Sequence, residues 1–165
     1  MSAIKYQTAP VPQAIGLKAG FLPRLVQRRA RIVSISPSAD DHAALRRVID
    51  HTQWRIVTAS TCREAFKTLD RADTLLIFCE SSLRDGTWKE ILEYIANKPE
   101  PPLLVVTSRI ADNYLWAEVL NLGGYDVLAK PFAENEIRQV LASVWARHTA
   151  PLQHPLAVTV PAQPL

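Results

Sequence analysis

The sequence predicts an α/β fold, a doubly wound five-stranded parallel sheet with helices on both faces. Two observations predict it. Short apolar runs recur at residues 32–35, 54–58, 74–79, 103–107 and 125–129, and each is followed by a segment of helical spacing. Strands joined through helices must run parallel, and a parallel sheet buries both of its faces. Right-handed crossovers then leave only a few doubly wound topologies.

The helices carry their own punctuation. The first is predicted from Ser38, with Asp41 completing a capping box and Ala44, Leu45, Val48 and Ile49 on one face. Asp40 and Asp41 fall in its first turn, where carboxylates favour the positive end of the helix dipole. Ser60 or Thr61 caps a second helix carrying Ala65, Phe66 and Leu69, and Thr87 opens a third with Trp88, Ile91, Leu92 and Ile95. A fourth is predicted over 111–122, stopped by Gly123-Gly124, and a fifth over 133–147 with Ile137, Val140, Leu141 and Val144 on one side.

Composition bounds the rest. A chain of 165 residues, 48% hydrophobic, can bury the core of one domain. No apolar run is long enough for a membrane span, and the start shows no signal-peptide pattern. Cys62 and Cys79 form no CxxC pair, so neither zinc nor a disulfide framework is expected, and a reduced, cytoplasmic protein is. Residues 1–31 hold six basic side chains and no acid, whereas the remainder holds 13 basic against 16 acidic, a net of −3. The domain organisation is read as an extended basic leader over 1–29, one domain over 30–148, and a Pro-rich tail over 149–165. The tail holds Pro151, Pro155, Pro161 and Pro164, too many for a helix or an inner strand, and is expected to be disordered.

In such sheets the reactive crevice lies beyond the carboxyl ends of the strands. The residues there are Ser36-Pro37, Glu80, Thr107-Ser108 and Lys130-Pro131. With them come GGYDVLAKPF (123–132), LLVVT (103–107) and the loop Leu83-Arg84-Asp85-Gly86. In this order and spacing the stretch 31–147 resembles the receiver domain of bacterial response regulators, whose sheet order is 2-1-3-4-5. The resemblance implies a phosphoacceptor position at Glu80. It also implies a phosphoryl-site lysine at Lys130 followed by Pro131, and a hydroxyl at Thr107. Ser36 and Pro37 fall where the family carries the acidic pair that holds a divalent cation.

That departure sets the expected function. A hard cation wants charged oxygen ligands, and Ser36 and Pro37 offer one neutral hydroxyl between them. Mg²⁺, or any metal or other cofactor, is therefore not expected, nor is enzymatic activity. Glu80 is one methylene longer than aspartate and should meet Lys130, either imitating a phosphorylated aspartate with Thr107 or only pairing the charge. Val127 stands at the family's switch-aromatic position, with Tyr125 two residues earlier on the same expected face. The expected protein is a stand-alone pseudo-receiver in phosphorelay signalling that acts by protein–protein interaction. The rival reading is a phosphotransfer intermediate phosphorylated on Glu80.

The fourth helix shows two apolar stripes: Leu115, Val119 and Leu122 toward the core, and Trp116 with Leu120 as a partner face. A histidine kinase or an output protein is the expected partner, with homodimerisation as a further mode. The basic run 24–31 is read as a solvated flank rather than a nucleic-acid contact, with a nucleic-acid accessory protein acting through the basic leader as the third reading. Trp145 is expected to cover a sheet edge, and His42, His51, His148 and His154 to be surface or cap residues. Ser81-Ser82 lacks a GxSxG elbow, and no GxGxxG or P-loop pattern occurs.

Overall fold

The computed structural model describes residues 30–50, 52–71 and 73–149. The expectations for the leader, for the tail and for His51 and His154 lie outside these residues. The elements are β1 (Arg31–Ile35), α1 (Ala39–Ile49), β2 (Arg55–Ala59), α2 (Cys62–Leu69), β3 (Thr74–Glu80), β4 (Ser82–Leu83), β5 (Gly86–Thr87), α3 (Trp88–Ala96), β6 (Leu103–Ser108), α4 (Asn113–Leu122), β7 (Asp126–Ala129) and α5 (Glu134–Thr149). The main sheet has the order β2-β1-β3-β6-β7, all parallel. Counted along this sheet alone, that is the predicted 2-1-3-4-5.

Strand alternation splits the core into two layers. Val33, Ile35, Ile77, Cys79 and Val106 face α2, α3 and α4. Ile32, Leu76, Phe78, Val105 and Leu128 face α1 and α5. Both cysteines are buried and free, and burial pushes the Cys62 thiol up to about 11. No helix among the described residues is long and apolar enough to cross a membrane.

The caps follow the sequence with two changes. Thr61 caps α2, and Thr87 with Glu90 forms a complete capping box on α3. At α1 the Ser38 hydroxyl accepts from the Asp41 N–H, but the Asp41 carboxylate does not return to the cap. The second change is a two-stranded hairpin, β4–β5, that apolar periodicity could not show. It carries Asp85 to the start of α2, where its carboxylate accepts from the Cys62 and Arg63 N–H groups at 2.8 and 3.0 Å. These donors lack helical partners, and they hold the Asp85 carboxyl below its usual range.

The end of α4 departs from expectation. The helix stops at Gly123, whose φ of +100° suits glycine, and the Gly124 N–H returns to the Val119 carbonyl. Leu115 and Val119 face the core, but Leu122, the last residue of the helix before the Gly123 cap, is exposed. Trp145 packs edge-on against Trp54, centroids 5.7 Å apart, beside the edge strand β2. Its ring joins the core layer of α1 and α5.

Candidate functional site

Three backbone hydrogen bonds prolong the ladder past the strands and fix the crevice. Ser36 N–H donates to Ala59, Ser81 N–H to Thr107, and Lys130 N–H to Ser108, at 3.0, 2.9 and 2.9 Å. Register sets Glu80 opposite Thr107 on the neighbouring strand. Lys130 therefore enters from β7, Glu80 from β3 and Ser36 from β1, with Pro131 following Lys130 through a cis peptide bond.

At the centre lies the Lys130 ammonium. It pairs with the Glu80 carboxylate, as expected, and also with the Asp41 carboxylate. The three side chains are only 7%, 17% and 13% exposed in the order Lys130, Glu80, Asp41. Asp41 is predicted to serve the helix end; instead its carboxylate turns inward. The Ser36 hydroxyl donates to Asp41 Oδ2 at 2.6 Å while accepting from the Ser38 N–H at 3.1 Å. Ser36 thus positions Asp41, and Pro37 between them is exposed and offers no ligand. The Phe132 ring lies 5.9 Å from the ammonium.

Thr107 is buried at its expected place, and its backbone carbonyl accepts from the Ser81 N–H. The second partner of Glu80 is the Ser81 hydroxyl, at 3.4 Å, which also reaches the Ser108 hydroxyl at 3.3 Å. The expected pair of Glu80 and Lys130 is therefore present, and Asp41 joins it. Alternation along a strand could not find Asp41, which sits on a helix. The available signal was an uncharged Ser36-Pro37 followed by two acids within one turn.

A family model described as response regulator receiver domain matches residues 38–142. The chain belongs to this family. It carries the receiver domain of a two-component response regulator. Among solved structures it is similar to the receiver domain of a Luxo repressor protein from Vibrio parahaemolyticus, at 19% identity and TM-score 0.67, covering 72% of this chain and 92% of that one. A two-component response regulator from Clostridium difficile gives 23% identity and TM-score 0.66, covering 73% and 99%. The chemotaxis response regulator CheY4 of Vibrio cholerae gives 16% and 0.63, covering 70% and 98%. No curated protein matches the chain.

Within this receiver His42 is half-buried on α1, whose N-cap is Ser38. Its Nδ1 lies 2.8 Å from the buried Ser34 hydroxyl, and burial holds its pKa below the ordinary histidine value against the pull of Asp41. The unfolded chain therefore takes up this proton first. Its contribution to stability is fully present above about pH 6.5 and is lost as the pH falls toward the lower folded value. The denaturation midpoint should fall between about pH 7.5 and 5.5, and less steeply in His42→Gln. Urea titrations at the two pH values check this.

Val127 packs against the α2–α4 layer, whereas Tyr125 packs against the α1–α5 layer. The expectation that they share a face fails because Tyr125 precedes the first residue of β7. Both nonetheless line a groove of about 460 Å³ between α4, β7 and α5, with Trp116 on its wall. Trp116, Ile110, Tyr114 and Leu122 are each at least half exposed. Leu120, expected beside Trp116, is half-buried and does not line the groove.

Proposed function

We propose that this receiver signals by protein–protein contact and has given up phosphotransfer. One observation carries the reading: the Lys130 ammonium is gripped by two carboxylates, Glu80 and Asp41, in the crevice where the family does its chemistry. An ammonium so placed supplies the positive charge that a divalent cation would bring. The residues present do not fit Mg²⁺. Ser36 offers one hydroxyl already spent on Asp41, Pro37 offers none, and both nearby carboxylates are taken. The domain is then a non-catalytic adaptor, cytoplasmic as its unpaired cysteines suggest, and docks a histidine kinase or an output protein.

The apolar α4 surface supports a docking role. Receivers interact with kinases or output proteins, and exposed Trp and Tyr side chains are the chemistry of a partner anchor. Incubating the full chain with Mg²⁺ and acetyl phosphate, then weighing the intact protein, tests the reading. No mass gain is expected. One phosphoryl per chain, mapped to Glu80, would overturn it and establish the phosphotransfer intermediate instead.

A further inference from the structure

We propose that the groove between α4, β7 and α5 is occupied by the basic leader of the same chain, residues 17–29. The inference rests on reading that face as the docking surface, and it names the first occupant a partner must displace.

Charge and chemistry select this occupant. Among the described residues, the groove wall carries two acids, Asp126 and Glu136, and no lysine or arginine. Its apolar part sets the aromatic Trp116 and Tyr125 beside aliphatic residues such as Val127, Leu128 and Val140. The leader brings the complement: Lys18, Arg24, Arg28 and Arg29 without any acid, interleaved with Leu17, Phe21, Leu22, Leu25 and Val26. Guanidinium groups suit both walls, since they pair with carboxylates and stack on aromatic faces.

Other acids near the groove are engaged: Glu118 with Lys89 at 2.5 Å and Glu134 with Arg138 at 3.6 Å. Reach is ample. The leader joins β1, three strand steps from β7 in the sheet, or roughly 14 Å across. Thirteen extended residues span up to about 43 Å.

The two native thiols are buried, so a nitroxide on Ala19→Cys labels one position. Amide signals of the ¹⁵N-labelled full chain should lose intensity at residues 114–122 and 126–129 and keep it around α2 and α3. Reversing the leader's charge with Arg24→Glu, Arg28→Glu and Arg29→Glu should restore those signals without touching the folded elements. The pair Asp126→Lys and Glu136→Lys should do the same from the other side.

Intensity loss spread evenly over the surface, or loss that survives both sets of substitutions, would overturn the proposal. A spin-labelled, unenriched chain mixed with an unlabelled ¹⁵N chain must leave the groove signals intact. Loss there would place the leader of a second copy in the groove and contradict the same-chain assignment. Phosphorylation of Glu80 would sink the adaptor reading yet leave these signals unchanged, so the two failures are distinguishable.

Discussion

Lys130→Met is expected to destabilise the domain strongly. It leaves Glu80 and Asp41 facing one another with no cation between them, at sites 17% and 13% exposed. Removing one partner of a mostly buried ion pair leaves an uncompensated charge, and the cost should be about 3 kcal/mol. The loss should shrink in acid, because the orphaned carboxylates can then be neutralised by protons. It should also shrink in the double variant with Glu80→Gln, which removes the repulsion between the two carboxylates. Urea denaturation of the single and double variants measures the coupling. A cost close to zero for Lys130→Met would mean that water already screens the crevice.

The second large effect runs in the opposite direction. Replacing Ser36, Pro37 and Glu80 all with aspartate should return the missing chemistry. The acidic pair would supply charged ligands for Mg²⁺, and the shorter carboxylate at position 80 would withdraw from Lys130. In the restored reaction a carboxylate oxygen bonds to the phosphorus of acetyl phosphate as acetate leaves. Lys130, still present, would then contact the phosphoryl oxygens. The variant should take up one phosphoryl per chain at least about a hundredfold faster than the natural sequence, and only with Mg²⁺ present. Time-resolved intact-mass measurement checks this. Equal, slow labelling of both proteins would show that the acidic pair was not what the crevice lacked.

Much of this fold is legible in the sequence because it depends on local pattern. The five strands and five helices follow from apolar period, and the caps at Thr61 and Thr87 from residue type and spacing. The crevice positions Ser36, Glu80 and Lys130 follow from strand ends, which the sheet then aligns. What stays hidden depends on direction or on distance. Asp41 has the same type and spacing whether it caps α1 or reaches Lys130. Only packing reveals that the Ser36 hydroxyl draws it inward. Asp85 caps a helix that begins 23 residues earlier, through a hairpin too short to show alternation. Leu122 escapes for a third reason: a stripe read by spacing ignores where the helix ends.

On the proposed reading, the Lys130 ammonium supplies the positive charge of a crevice that does not take up a divalent cation. Titrating the ¹⁵N-labelled full chain with Mg²⁺ tests this most directly. The amide signals of residues 36, 38–41, 80–81 and 130 should stay in place through millimolar Mg²⁺, while the aspartate-restored variant shows a saturable shift at those positions. A saturable shift of the same signals in the natural sequence would contradict it.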